Sequence, residues 1–195
     1  FETIPGRRGE LALQERGLDE DGNVLFCLNF RKANENQIIS YYTDAYGFPI
    51  RLRDSTFFFI RETYDQMGHT AIIEYFDEEG LPVKGEDGEF IQIRIYDKDE
   101  NVIQWMNADL NCGLINGNQG YAIHESIFEN GLAIQTQYLD HAYQPTCNED
   151  SVYVTKMQYD AHDRLINLSY WYPDGTKANH KGNYHSVKYQ YNDYG

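Results

Sequence analysis

Positive charge is what this sequence is shortest of: 16 Lys and Arg stand against 31 Asp and Glu, a net charge of −15. A field of that sign repels phosphate backbones and anionic lipid, so no nucleic acid partner is expected, while cationic partners suit it. Long apolar runs are also missing. Runs such as Phe57 to Ile60 fall far short of the roughly 18–20 residues a membrane helix needs, and no membrane insertion by this segment is expected. Cysteine is limited to Cys27, Cys112 and Cys147, an odd count that allows at most one internal bridge. Cys112 and Cys147 fall in corresponding turn regions, which makes a bridge between them conceivable and free thiols the simpler expectation. No Cys/His group has zinc spacing, no glycine-rich phosphate loop is present, and no G-x-S-x-G elbow supports a nucleophile. No catalytic residue, metal ligand or cofactor is therefore assigned.

Proline is scarce as well, and its placement is informative. Four of the five prolines lie in one recurring turn. That turn reads Asp44-Ala-Tyr-Gly47-Phe-Pro49, Asp77-Glu-Glu-Gly80-Leu-Pro82, Asp109-Leu-Asn-Cys-Gly113, Asp140-His-Ala-Tyr-Gln-Pro145 and Pro173-Asp174-Gly175. Proline would remove a ladder hydrogen bond from a central strand, so its confinement marks chain reversals. A second turn follows an aromatic residue and an acid or its amide: Tyr64-Asp65, Tyr96-Asp97, Phe128-Glu129, Tyr159-Asp160 and Tyr191-Asn192, at steps of 32, 32, 31 and 32 residues. Two turn types held in phase over five copies define a tandem repeat.

The segments between turns are rich in Ile, Val, Tyr, Phe, Trp and Thr. Ile91, Ile93 and Ile95 alternate with polar residues, as do Ile166, Leu168 and Tyr170. Period two is the strand signal. Strands are predicted near 23–30, 37–43, 56–64, 70–76, 89–96, 101–107, 120–128, 132–139, 151–159, 165–172 and 184–191. Glu10 to Leu18 has helical propensity, yet repeat phase makes 11–18 a strand and completes a set of about twelve. Short connections make neighbours antiparallel. The expected fold is all-β: an antiparallel meander of two-strand, 32-residue units, with an elongated twisted sheet, in its simplest form a single layer, as the preferred form and a barrel or a sandwich as the alternatives. No linker divides the chain, so residues 1–195 read as a single β-hairpin array. Phe1 and the incomplete turn after Tyr191 suggest a fragment of a longer chain.

The phrase Tyr-Asp-x-x-x-x-Leu/Ile, then a strand ending in aromatics, then Asp-x-x-Gly resembles the tyrosine-aspartate (YD, or Rhs-type) repeats of bacterial surface and secreted proteins. It is loosely similar to MORN-type and WG-type hairpin repeats. The resemblance covers nearly the whole chain and implies a bacterial origin, a β-hairpin array, and a scaffold, shell or binding role outside the cytoplasm. It implies no catalytic residues.

Acid clusters such as Asp19-Glu20-Asp21-Gly22, Asp77-Glu78-Glu79-Gly80 and Asp97-Lys98-Asp99-Glu100 offer calcium-type oxygens. None carries the full calcium-loop pattern, and Asp and Gly are turn formers in their own right. The six histidines are read as solvated turn residues, and the basic pair Arg51 and Arg53 as a loop feature. The aromatics Tyr75, Trp105, Tyr138, Tyr170, Trp171 and Tyr172 recur on one strand of successive repeats. As a ladder they would stabilise the sheet, or hold sugar rings or cations. Three functions follow: a non-catalytic spacer or protein-interaction scaffold, a glycan- or cell-wall-binding module, and, more remotely, a hydrolase. A protein or a glycan at the cell surface is the expected partner.

Overall fold

The computed structural model describes residues 2–4, 14–51 and 55–192, and these are all-β with no helix. Residues 11–13 of the expected first strand, Arg53 of the basic pair and residues 193–195 lie outside them. Thirteen strands are present: β1 (Glu2–Ile4), β2 (Gln14–Leu18), β3 (Val24–Asn34), β4 (Gln37–Thr43), β5 (Phe59–Tyr64), β6 (Thr70–Phe76), β7 (Ile91–Tyr96), β8 (Val102–Ala108), β9 (Ile123–Glu129), β10 (Leu132–Leu139), β11 (Val154–Tyr159), β12 (Leu165–Trp171) and β13 (Ser186–Lys188). Twelve correspond to the predicted set; the additional one is β1, whose residues 2–4 pair with 16–14 of β2.

The chain divides into two compact units, Phe1–Ile93 and Arg94–Gly195. In the first, each strand pairs antiparallel with the next in sequence. In the second, β8 to β13 do the same. The meander is open, for β1 has only β2 as neighbour and β13 only β12. Gly17, which weakened a helical reading of its segment, has a strand role. A Cβ there would stand 2.5 Å from the Phe26 ring, so only glycine admits that ring over β2.

One five-residue turn is used again and again. Its first N–H donates to the fifth carbonyl (Asp65 to His69, 2.9 Å) and its fourth N–H returns to the first carbonyl (Gly68 to Asp65, 3.2 Å). The fourth residue is left-handed, which makes the unit a tight turn closed by a bulge. Where the first residue is Asp, its Oδ1 accepts the N–H groups of the third and fifth residues. The pairs are 3.0 and 2.8 Å at Asp19, 2.9 and 2.9 Å at Asp44, and 2.8 and 2.9 Å at Asp65. Asp77, Asp97, Asp109, Asp140 and Asp160 do the same. Each such bond adds about 0.5–1.5 kcal/mol net, the lower end applying where water competes.

The other end of each hairpin holds two successive turns, which sequence reading merged into one. The first residues of the pairs are Asp77 and Gly85, Asp109 and Gly117, Asp140 and Asn148, Tyr172 and His180. Between them the chain touches the strand it has just left at one bridge: Phe76 with Pro82, Ala108 with Leu114, Leu139 with Pro145, Trp171 with Lys177. Proline suits a single bridge because its missing N–H interrupts no ladder. The extra turn explains a 32-residue unit that carries only two strands. It also corrects strand starts: β7, β9, β11 and β13, like β5, begin two or three residues later than predicted. The apolar or buried residues just before them (Phe57, Glu89, Tyr121 and Val152) are not ladder residues; Glu89, Tyr121 and Val152 close the second turn and plug the core.

The core lies at this double-turn end. Ile73, Tyr75, Glu89 and Ile91 are buried there in the first unit. Met106, Ala108, Tyr121, Ile123, Val152, Val154, Tyr170 and Ala178 are buried in the second. The three cysteines are free thiols, so the conceivable Cys112–Cys147 bridge does not form. Cys112 sits within the turn from Asp109, whereas Cys147 precedes the turn from Asn148.

The left-handed fourth position is Gly22, Gly47, Gly68 or Gly80 in several copies, but Cys112 has φ 62° and Tyr143 φ 59°. A side chain there costs about 1–2 kcal/mol. Cys112→Gly is therefore expected to raise Tm by roughly 2–4 °C in thermal unfolding, and Gly80→Ala to lower it by a similar amount. An unchanged or lower Tm for Cys112→Gly would show that the turn carries no such strain.

Candidate functional site

Strand register sorts the six aromatics selected from sequence. Tyr42, Tyr75, Asn107, Tyr138 and Tyr170 occupy one equivalent position, each accepting at its carbonyl an N–H from the segment between the two turns. Tyr75 lies in the first unit and the others of the six lie in the second. Trp105 is two residues earlier in its repeat and is not a rung of that column. It stands opposite His124, which stands opposite Tyr138. The result is a cross-strand row with ring centroids 5.4 Å apart for Trp105–His124 and 5.3 Å for His124–Tyr138. Tyr121 closes on Tyr138 at 4.6 Å. Burial holds the His124 imidazole below its usual range, so it packs as a neutral ring.

Tyr170 and Trp171 point to opposite faces because they are consecutive on β12. Tyr170 is buried with His180 at 5.1 Å and Tyr184 at 5.9 Å. Burial, then the neighbouring Tyr184, pushes its phenol up to about 12. Trp171 lies half-buried, with Lys156 Nζ 5.2 Å from its ring and its Nε1–H donating to Ser169 Oγ at 3.2 Å. Tyr172 opens a turn in the place Asp takes in the other copies, and packs against the cluster of Val152, Tyr170 and Ala178. The structure thus brings Trp105 and Tyr138 together, places Tyr75 and Tyr170 in the core, and turns Trp171 the other way.

The acid clusters weighed as cation ligands serve the turns. Asp19, Asp77 and Asp97 bind backbone N–H groups as described. Among the described residues no three His, Cys, Asp or Glu converge to hold a metal ion. Among the described residues no helix is long and apolar enough to cross a membrane. His69 lies 3.3 Å from Asp65, and His180 lies 3.3 Å from Asp150.

Two features were missed in the sequence. The first is Glu89, only 2% exposed, whose Oε2 has no hydrogen-bond partner. Tyr75 is hydrogen-bonded to this carboxyl. Gly85 passes so close that a Cβ there would stand 2.6 Å from both Glu89 Oε1 and the Tyr75 ring. Burial raises the Glu89 pKa. The signal was available: Glu89 occupies the position of Tyr121, Val152 and Tyr184, where a carboxylate is out of place.

The second is the work of the tyrosine in the Tyr-Asp corner. Tyr159 donates its hydroxyl to Ala133 O at 2.9 Å, and Tyr191 donates to Leu165 O at 2.9 Å. Each reaches back 26 residues, tying one hairpin to the preceding one. Arg164 adds to the tie, bonding Asp160 Oδ2 at 2.8 Å and covering the Tyr191 ring at 4.7 Å. The Arg164 hydrogen bond, then the turn N–H groups, draws the Asp160 carboxyl down to about 2.

Each unit also carries an open groove. In the first, about 320 Å³ is lined by Arg31, Ile39, Phe59 and Phe76, with Arg61 bonded to Glu74 at 2.7 Å and lying over Phe76. In the second, about 740 Å³ lies along β9 to β12 near the corners at Asn130 and Asp160. No protein-family model matches the chain, and a search of curated proteins found no similar sequence.

Two measurements test these assignments. A carboxyl with a raised folded-state pKa lends stability that is full in acid and lost as pH rises through that pKa. Glu89→Gln, which keeps the neutral shape, should match the parent near pH 4 in urea unfolding and exceed it at pH 8. Equal pH dependence of the two proteins would rule out a buried neutral Glu89. Tyr159→Phe should cost roughly 1 kcal/mol in the same assay, the loss of one hydrogen bond that leaves the Ala133 carbonyl unpaired. No loss would mean that the hydroxyl does not tie the hairpins.

Proposed function

We propose that this chain is a non-catalytic repeat module of a bacterial surface or secreted protein, acting as a spacer or a protein-interaction scaffold. The observation that carries this reading is how the ionisable side chains are used. Eight aspartates hold two backbone N–H groups each in turns, and the corner residues Tyr159 and Tyr191 each tie a hairpin to the one before. Chemistry of this kind builds a frame. In such arrays stability comes from contacts between adjacent repeats, and binding uses the surface the repeats present. The bacterial and extracellular setting rests on the resemblance to YD/Rhs-type repeats.

A second reading, a glycan- or cell-wall-binding module, draws on the half-buried Trp171 and the Trp105–His124–Tyr138 row. Aromatic faces of this kind can stack on sugar rings. The core positions of Tyr75 and Tyr170 reduce the ladder that such binding would use.

Affinity electrophoresis through gels containing peptidoglycan, chitin, cellulose or xylan, with chromogenic ester and glycoside substrates in parallel, separates the readings. The scaffold predicts unchanged mobility and no turnover. Retardation abolished by Trp171→Ala or Trp105→Ala, with the fold intact by circular dichroism, would replace it with the glycan reading. Turnover would make the protein an enzyme.

A further inference from the structure

The groove along β9 to β12 is where the second unit breaks its own pattern. The corners at Asp97–Asn101 and Asp160–Arg164 are five-residue turns. The corner between β9 and β10 is a two-residue turn, Asn130–Gly131, with φ of 52° and 79°. Both angles positive is the tight hairpin turn that Asn-Gly favours. The ladder behind it also skips a residue, between Ala133 and Gln135, leaving Ile134 unpaired. The irregular corner and its neighbour border a groove of about 740 Å³ that takes in Ile127, Leu132, Ile134 and Ile166. Ile127 is 49% exposed. Such an apolar strip open to water, rimmed by polar groups, marks an interaction surface.

The rim supplies the sign of the partner. Glu129 lies at the short corner, and Asp160 and Asp163 at the long one. Asp160 is held by Arg164. Among the described residues, no ion-pair or hydrogen-bond partner holds the carboxylate of Glu129 or of Asp163. The lining includes one cation, Lys156, which is drawn to the Trp171 ring. An aliphatic floor between unpaired carboxylates at both ends complements a chain that alternates aliphatic and cationic residues. Its volume lies within the roughly 300–1,000 Å³ typical of ligand sites.

We infer that this groove docks an extended, lysine- or arginine-bearing aliphatic segment of a partner protein. This rests on the scaffold reading and names the partner class for one surface of it. The aliphatic side chains would displace water from Ile127 and Ile134, and the flanking cations would pair with Glu129 and Asp163.

The test uses the full chain and a fluorescently labelled synthetic octapeptide alternating leucine and lysine, followed by anisotropy at about 0.15 M salt, where diffuse attraction is largely screened. A serine–lysine octapeptide controls for charge alone. The double variant Glu129→Lys/Asp163→Lys reverses the rim. Glu20→Lys/Asp21→Lys makes the same charge change in the turn of Asp19, which belongs to the first unit. Ile127→Asn alters the floor. Far-UV circular dichroism and thermal melts confirm that each variant folds. The rim variant should weaken binding by about 10-fold or more and Ile127→Asn by about 3-fold or more, with the first-unit variant within about twofold. The serine peptide should bind at least about 10-fold more weakly than the leucine one. Equal loss in the rim and first-unit variants, equal binding of the two peptides, or no binding of the leucine peptide would overturn the groove assignment. None of those results touches the polysaccharide and turnover assays, whose outcomes decide the scaffold reading separately.

Discussion

The fold depends on one short-range interaction: a carboxylate oxygen accepting two backbone N–H groups across a five-residue turn. A meander has no long-range connection to fix its register, so each reversal must fix the register locally. The turn from Asp65 does so between β5 and β6, and that from Asp160 between β11 and β12. The bulge that closes each turn appears as a shift at the strand end, between Thr63 and Tyr64 and between Gln158 and Tyr159. Asn148 repeats the geometry with an amide, at 3.0 Å for both bonds. A neutral amide oxygen thus serves as a carboxylate does, and turns opened by Gly85, Gly117 and Tyr172 close through the backbone bonds without such an acceptor.

The acidity of the chain takes on a different meaning in this light. Eight of its 31 acids are turn fasteners. A net charge of −15 is in part a by-product of building many reversals from Asp. The acids that point to a partner are the ones the frame does not use. Asp163 is one: it occupies the left-handed fourth position, φ 60°, which glycine fills at Gly68 and Gly80. Glu129 is another, since it flanks a turn that closes through Asn130 and Gly131 alone.

Most of the fold was legible in the sequence because its signals are local. Alternation placed the strands, and the phase of Asp, Gly and Pro placed the reversals. The same phase correctly overrode helical propensity at Gln14–Leu18. What escaped was the second turn of each pair. Its signals, Gly85-Glu-Asp-Gly88, Gly117-Asn-Gln-Gly120 and Asn148-Glu-Asp-Ser151, recur eight residues after the first turn and in the same phase. They were absorbed into the following strand because the residue that ends each of them is large and buried. The aromatic ladder was legible only in part. Composition identifies aromatics on a strand, but the face each one takes depends on register. A shift of two residues moved Trp105 off the tyrosine column, and a step of one turned Trp171 from the face of Tyr170.

The distribution of difference along the repeat separates frame from function. The turns recur in place, and so does the plug, where Glu89, Tyr121 and Val152 are all buried as they close the second turn. Variation at the plug is thus absorbed inside, at the cost of one orphaned carboxylate oxygen on Glu89. Variation at a corner cannot be absorbed, because a corner is surface. Asn130–Gly131 in place of a five-residue turn sets a short hairpin end beside a long one, next to the exposed Ile127. A repeat array whose frame is fixed by backbone-directed bonds can change one corner without disturbing its neighbours. A surface specific to this chain arises at such a point, where a copy departs from the pattern that holds the others.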